Sequence, residues 1–190
     1  YYLIGHSMGS FVTRKYICDY GHELDGVIVM GTGHQPTPVV LGGKLLANIT
    51  KLIKGDRYRS ELISKIMFGA YNKRIKNIRT ANDWLTRDEA VVDEYNAGKL
   101  TTFLFTVNGY RGLMNMILYV RKPRNIAKIP ENLPMLMVSG LDDPVGEYGK
   151  GVYRAYNSYH GHLDDIDLRL FEDCRHELCN ELNKEDIYEE

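Results

Sequence analysis

The sequence predicts an α/β fold with a mostly parallel sheet, helices on both faces of the sheet and an inserted helical segment. Short apolar runs with β character alternate with helical patterns at both ends of the chain, which is typical of a parallel sheet with crossover helices. A long stretch in the middle breaks this alternation and shows helical patterns alone. We therefore divide the chain into residues 1–33 (core), 34–125 (helical insertion) and 126–190 (core).

The first predicted elements are a strand, a tight turn and a helix. Tyr1–Ile4 is an apolar run and is followed directly by Gly5-His6-Ser7-Met8-Gly9. Ser10–Tyr20 has helical periodicity, and Gly21 is a candidate for its C-cap. The side chains expected near one face of this helix are Phe11, Val12 and Tyr16.

The turn has the form G-x-S-x-G, which in a strand–turn–helix context is a nucleophile elbow. We expect Gly5 and Gly9 to flank a turn where a Cβ would collide with the neighbouring strand and helix. The backbone N–H of Met8 follows Ser7 at the helix N-terminus and could bind a developing oxyanion. The alternative interpretation is an ordinary glycine-rich turn with an exposed serine.

The remaining strands are short apolar runs. Leu24–Gly31 predicts a buried strand, Pro134–Gly140 a second, and the alternating Ile166–Phe171 a third. The helical patterns of the insertion lie around Val40–Ile53, Ser60–Tyr71, Arg87–Tyr95 and Tyr110–Val120.

Acidic residues follow one of these strands, and a histidine follows the next. Asp142 and Asp143 come directly after Pro134–Gly140, and His176 comes shortly after Ile166–Phe171. A nucleophilic serine needs a base, and the base needs an acid that orients it. The order serine, acid, histidine along the chain is the order of an α/β-hydrolase.

With these segments in place, the chain resembles the α/β-hydrolase family that includes serine aminopeptidase-like hydrolases, lysophospholipases and monoacylglycerol lipases. The matching motifs are GHSMGS, G-x-x-D-P-V and R-H-E-L. The resemblance implies that Ser7 is the nucleophile, Asp143 the acid and His176 the base, with Asp142 as the competing acid. It implies a Ser-His-Asp mechanism that needs no metal and no organic cofactor.

The resemblance also implies that the family's domain is longer than this chain. The family places several strands and two helices before the nucleophile strand, and one of those loops donates the second oxyanion N–H. We therefore expect the chain to be the C-terminal part of a larger hydrolase, with that donor outside it. As isolated, such a chain could also be a non-catalytic module that binds a ligand or a partner.

An insertion at this point of an α/β-hydrolase is a cap, or lid, over the active site. Its apolar and methionine-rich residues could line an acyl pocket, and we predict substrate contacts at His34, Phe105 and Met114. The alternative for most of these residues is packing between cap helices. Trp84 is expected to be a packing residue, and Asp83 or Thr86 a helix N-cap.

Composition restricts the location and the partners. No apolar run approaches the roughly 18 residues needed to span a membrane, and the three cysteines form no disulfide framework, so we expect a cytoplasmic protein. Between Lys44 and Lys128 there are 17 lysines and arginines against 7 acidic residues. This basic stretch could attract anionic substrates or an anionic membrane surface, or it could be a solvated helical face. We expect no nucleic-acid partner.

Two further interpretations concern histidines and cysteines. Cys174, His176 and Cys179 have the pattern C-x-H-x-x-C, which fits no common zinc spacing, so we predict no metal site. His6 lies inside the elbow and is expected to pack or hydrogen-bond locally.

The function expected from these features is hydrolysis of carboxylic esters of lipids, such as lysophospholipids or monoacylglycerols. The alternative within enzymes is an aminopeptidase, which would need an acidic group for the ammonium of its substrate. The basic insertion argues against that alternative.

Overall fold

The computed structural model describes residues 1–189 and contains one parallel sheet. The four strands lie side by side in the order in which they follow one another along the chain, and each neighbouring pair is parallel. They are β1 (Tyr2–His6), β2 (Gly26–Met30), β3 (Met135–Gly140) and β4 (Ile166–Phe171). The predicted α/β class with a parallel sheet is confirmed.

Helices connect the strands. Within residues 1–189, one α-helix follows β1, five lie between β2 and β3, one lies between β3 and β4, and one follows β4. They are α1 (Met8–Tyr20), α2 (Thr37–Lys54), α3 (Glu61–Phe68), α4 (Glu89–Ala97), α5 (Val107–Val120), α6 (Pro123–Ile126), α7 (Lys150–His160) and α8 (Lys184–Tyr188). The four helical patterns predicted in the insertion match α2 to α5.

The two faces of the sheet bury different residues, because successive side chains of a strand point to opposite sides. On one face, Val29 and Met137 pack with residues of α1, α6 and α7, including Ile17 and Tyr159. The other face packs Val138 and its neighbours with residues of the β4–α8 region. Helices therefore cover both faces, as predicted.

The helices between β2 and β3 form a second hydrophobic core together with α1. Its buried apolar residues come from α2, α3 and α5 and surround Phe11 of α1; they include Val40, Ala47, Ile63, Val107, Tyr110 and Met114. The predicted N-caps at Asp83 and Thr86 are wrong. α4 begins after Asp88, whose carboxylate accepts hydrogen bonds from the backbone N–H groups of Ala90 and Val91.

One expectation about α1 is confirmed and another is wrong. Gly21 is the C-cap of α1, where its N–H donates to Ile17 O with a right-handed φ of −58°, and a Cβ there would lie 2.7 Å from Pro130 Cδ. The buried face of α1 is rotated from the predicted one, so Val12 is 49% exposed while Arg14 is 1% exposed. Arg14 reaches inward to hydrogen-bond acceptors, which a pattern based on apolar residues does not detect.

Candidate active site

Ser7 occupies a strained turn between β1 and α1. Its backbone has φ 55° and ψ −120°, and its N–H donates to Met30 O over 3.0 Å. Such a conformation is costly for a residue with a side chain and clusters at functional sites. At Gly5 a Cβ would lie 2.1 Å from Thr13 Oγ1, which confirms the expected close approach. At Gly9 a Cβ would meet no described atom within 4 Å, so the same expectation is wrong there.

Met8 is the first residue of α1 and is 44% exposed. The N–H groups of the first turn of a helix have no partner within that helix, and the helix dipole favours negative charge there. Further along the turn, Ser10 binds Ser7 O through its backbone N–H (3.0 Å) and its hydroxyl (2.5 Å). The position of Met8 therefore suits an anion-binding donor.

Asp143 and His176 form a buried pair. His176 Nδ1 lies 2.9 Å from Asp143 Oδ2, and the two residues are 1% and 0% exposed. The other carboxylate oxygen, Oδ1, accepts the N–H of Val145 over 2.8 Å. Asp142 is exposed to solvent. The geometry thus favours Asp143 over Asp142 as the partner of the histidine.

A glycine at the end of β3 lets the two loops meet. A Cβ on Gly140 would lie 2.0 Å from Cys174 O and 2.3 Å from Arg175 O, which is far inside any allowed contact. Gly31 has a positive φ of 58°, and a Cβ on it would lie 3.0 Å from Cε1 of His176. The loop that bears His176 therefore passes close to the ends of β2 and β3, where Gly31 and Gly140 leave room for it.

Two rings border the imidazole of His176. The ring of His6 lies 4.7 Å from it and that of Trp84 5.0 Å from it, measured between centroids. His6 Nε2 also lies 3.1 Å from the carbonyl oxygen of His176. Burial, and then the neighbouring His176, lower the pKa of His6. His6 therefore has the local packing and hydrogen-bonding role expected of it.

The far nitrogen of the imidazole, His176 Nε2, is buried and has no hydrogen-bond partner among the described residues. Nδ1 faces a carboxylate, which can only accept, so Nδ1 holds the proton of that bond. Nε2 is then a free acceptor. The structure thus places His176 against Asp143 and against His6, the residue that precedes Ser7. The Ser7 hydroxyl is not hydrogen-bonded to His176 Nε2.

His34 lies just beyond β2 among three arginines. The carbonyl oxygens of residues 33, 34 and 35 accept hydrogen bonds from Arg14, Arg154 and Arg121 respectively. Nδ1 of His34 is buried without a partner among the described residues. Burial, followed by the three guanidinium groups, lowers the pKa of His34 to about 4.

The other two predicted substrate contacts differ in position. Phe105 lines an open depression of about 250 Å³. That depression also borders the elbow; its lining residues are Met8, Arg59, Phe103, Leu104, Phe105, Thr106 and Gly109. Met114 is 4% exposed and lies in the core between α2 and α5, where its Cε would collide with a Cβ on Gly43. This placement favours the packing alternative for Met114.

The region around His176 does not bring potential metal ligands together within residues 1–189. No group of three or more histidine, cysteine, aspartate or glutamate side chains is gathered there as a metal site. Cys174 Sγ instead lies 3.4 Å from the side-chain oxygen of Asn183.

Comparisons with known proteins identify the family and the fold. The sequence model of the family described as serine aminopeptidase, S33, matches residues 1–183. Among solved structures, a thermostable carboxyl esterase from Bacillus coagulans superposes with a TM-score of 0.87 at 25% identity, over 100% of this chain and 60% of that one. A lipase in an open form gives 0.85 at 25% identity, over 99% and 61%.

A third structure shows the fold alone: a soluble variant of monoglyceride lipase from Saccharomyces cerevisiae, with a TM-score of 0.72 at 19% identity, over 99% and 59% of the two chains. No curated protein sequence gives a significant match. The chain spans about 60% of the length of these solved structures. By sequence and by fold, the chain belongs to the serine aminopeptidase (S33) family of α/β-hydrolases.

Proposed function

We propose that this protein is a serine hydrolase that cleaves carboxylic esters of lipids, with lysophospholipids and monoacylglycerols as the substrate classes. The main support is the buried Asp143–His176 pair, which lies beside the strained turn that bears Ser7. A serine on an elbow turn, a histidine held in one orientation and a buried acid are the three groups of a Ser-His-Asp triad, which catalyses acyl transfer.

In the proposed mechanism, Ser7 Oγ attacks the ester carbonyl carbon while His176 Nε2 takes the hydroxyl proton. Asp143 keeps the proton of the imidazole on Nδ1 and stabilises the imidazolium that forms. The oxyanion accepts the N–H of Met8 and a second donor outside this chain. His176 then gives its proton to the leaving alcohol, and an acyl-enzyme ester remains on Ser7.

The second half of the cycle releases the acid. Water attacks the acyl-enzyme carbonyl while His176 again accepts a proton, and Ser7 Oγ leaves with that proton as the carboxylic acid is freed. Every proton transfer uses the same nitrogen, Nε2. Its lack of another hydrogen-bond partner among the described residues is consistent with this role.

We propose further that residues 34–125 form a cap over this site and that the depression beside Met8 receives the acyl chain. The depression is mostly apolar, with Phe103 and Phe105 in its wall, and Arg59 is the one charged residue that lines it in the described part of the chain. Apolar lining with few polar groups is typical of sites for small apolar ligands. His34 is a candidate contact at the entrance to the insertion.

Fluorophosphonate labelling followed by peptide mapping tests the nucleophile. We expect an adduct confined to Ser7 and absent from Ser7→Ala, because only an activated serine reacts with this reagent. Absence of label both on this chain and on a longer chain that supplies the second oxyanion donor would contradict the proposal and favour the non-catalytic interpretation. Label that persists in Ser7→Ala would mean that another residue is the nucleophile.

A second candidate, peptide hydrolysis from the N-terminus, follows from the description of the family whose model matches. An aminopeptidase must bind the ammonium group of its substrate with an acid. No acidic residue lines the depression beside Met8 within the described chain. A panel of acyl esters and aminoacyl anilides separates the two, and faster turnover of the anilides would favour the peptidase.

Contact with an anionic membrane surface is proposed for the outer face of α2. Leu41, Leu45 and Leu52 are exposed there, and Lys44 and Lys54 lie on the same helix. Apolar side chains flanked by lysines suit the interface of an anionic bilayer. The protein should co-sediment more strongly with phosphatidylglycerol vesicles than with phosphatidylcholine vesicles. Equal binding to both would contradict an attraction between the lysines and anionic lipids.

No helix within residues 1–189 is both long enough and apolar enough to cross a membrane. We propose a cytoplasmic location because all three cysteines are free thiols. Burial raises the pKa of Cys18 to about 11, so this thiol stays protonated and unreactive at neutral pH.

A further inference from the structure

Residues 83–87 of the insertion, here called the strap, lie along the loop that bears His176. Glu177 N–H donates to Leu85 O over 2.7 Å. On the other side of the histidine, Arg175 Nη1 donates to Asp83 O over 2.6 Å and to Thr86 O over 2.9 Å. The residues on both sides of the predicted base are therefore bonded to the backbone of the strap.

The strap places one large ring against the imidazole. Trp84, which lies between these bonded carbonyls, has its ring centroid 5.0 Å from that of His176, at an interplanar angle of 45°. Behind it, Tyr71 contacts the indole edge-on at 4.8 Å, and Phe68 contacts Tyr71 at 5.5 Å. A row of aromatic residues thus runs from α3 to the histidine.

A buried carboxylate fixes the strap to the same loop. Glu181 is 1% exposed and accepts the N–H of Arg175 over 2.7 Å and Nε of Arg87 over 3.0 Å. The hydroxyl of Thr86 donates to Asn180 O over 2.8 Å. Removing one partner of a buried ion pair is costly because the other charge is left without compensation. The strap is therefore held to the core rather than poised to swing away.

We propose that Trp84 is a positioning residue for His176, and that the strap acts through it to hold Nδ1 on Asp143. This inference rests on the proposed function of His176 as the base. A histidine ring turns about a broad torsion, and a single hydrogen bond limits it weakly. Packing by the indole restricts this torsion, so the imidazole is already oriented before substrate binds. The insertion thus has a fixed part, the strap, which supports the base.

The test compares Trp84→Ala and Trp84→Phe with Tyr153→Ala. Tyr153 is an exposed aromatic residue on α7 that stacks on Tyr156. For Trp84→Ala we expect kcat on a short acyl ester to fall about 10- to 100-fold, with KM unchanged. Trp84→Phe should retain most of kcat, and Tyr153→Ala all of it.

Two outcomes in these kinetics would overturn the inference. A rise in KM with kcat unchanged would make Trp84 a substrate contact. Unchanged kcat and KM in folded Trp84→Ala would make it a packing residue only. If Trp84→Ala does not fold, Arg175→Gln replaces it, since it keeps Trp84 but removes the two bonds to Asp83 and Thr86 that hold the indole against the imidazole. The same split between kcat and KM is expected, and an unchanged kcat would again overturn the inference.

A proton spectrum separates this inference from the proposed function. The Nδ1–H proton bonded to Asp143 should give a low-field resonance in the wild type that is lost in Asp143→Asn. We expect this signal to broaden by faster exchange in Trp84→Ala and to persist in Trp84→Phe. If the wild type hydrolyses no ester, the proposed function fails while the spectrum still tests positioning. A signal in Trp84→Ala as sharp as in the wild type would overturn the inference.

Discussion

His176 Nδ1 lies 2.9 Å from Asp143 Oδ2, and this contact joins two residues that are 33 positions apart, each on a loop at the end of a strand. The neighbouring strands β3 and β4 are parallel, so both loops leave the same edge of the sheet. The pair is closed to solvent, which strengthens its electrostatic interaction.

Asp143→Asn should reduce kcat by about 10³- to 10⁴-fold on an ester substrate. The amide keeps the shape of the side chain but can turn its NH₂ towards Nδ1, which favours the wrong tautomer of the histidine. Asp142→Asn is the matched control, because Asp142 is exposed and should change kcat by less than about twofold. A larger loss of kcat in Asp142→Asn than in Asp143→Asn would make Asp142, and not Asp143, the acid that orients the histidine.

Gly140→Ala should destabilise the protein strongly and disturb the site. The added methyl would lie 2.0 Å from Cys174 O, a backbone atom that cannot move without shifting the histidine loop. We expect a loss of about 3 kcal/mol in the free energy of unfolding, at the upper end for overpacking, together with loss of fluorophosphonate labelling.

The control for this substitution is Gly42→Ala in the interior of α2, where a Cβ meets no described atom within 4 Å. It should gain about 0.5–1 kcal/mol from helix propensity. Urea denaturation of both variants measures the difference. If Gly140→Ala is as stable as the wild type, the end of β3 and the loop that bears His176 must lie further apart than this geometry requires.

The elements around this site differ in how far the sequence alone predicts them. The strand ends that bear Ser7, Asp143 and His176 follow from short apolar runs and the G-x-S-x-G spacing, because parallel strands bring their carboxyl ends to one edge. The contact between Trp84 and His176 does not follow, since 92 residues separate them and only tertiary packing joins them.

Arg14 shows the second limit of prediction from pattern. Helical periodicity assigns a charged residue to the solvent side, whereas Arg14 is buried and donates to Tyr159 Oη, Thr32 Oγ1 and Gly33 O. These acceptors come from two separate parts of the chain, residues 32–33 after β2 and Tyr159 in α7. Only the assembled fold supplies enough hydrogen bonds to hold a guanidinium there.

His34 should make stability fall in mildly acidic solution. Its pKa is lowered from 6.5 to about 4, first by burial and then by Arg121, Arg14 and Arg154, so the unfolded chain takes up its proton more readily than the folded one. Its contribution to stability is therefore complete above about pH 6.5 and is lost as the pH falls towards 4.

The measurement is the urea midpoint of wild type and His34→Gln at pH 7.5 and pH 5. Glutamine does not titrate, so the drop in midpoint between the two pH values should be smaller in the variant. His22→Gln is the control, since His22 is exposed on the turn after α1. An identical drop in wild type and His34→Gln would mean that other groups cause the pH dependence.

Arg59 should favour anionic over neutral esters. It is the one charged residue in the lining of the depression beside Met8 and is exposed, without an ion pair among the described residues. In Arg59→Gln, we expect the ratio of kcat/KM for a lysophosphatidylglycerol to that for a monoacylglycerol of the same acyl chain to fall about two- to fivefold, the scale of an exposed ion pair. The effect should weaken as salt is added.

Arg57→Gln is the matched control, because Arg57 lies two residues away, is also exposed and does not line the depression. Loss of net charge alone would lower the ratio equally in both variants, and that result would assign the preference to the basic insertion as a whole. A lower ratio confined to Arg59→Gln would instead place the anionic headgroup at the rim of the depression, with the acyl chain directed along Phe103 and Phe105. An unchanged ratio in Arg59→Gln would contradict a headgroup contact there.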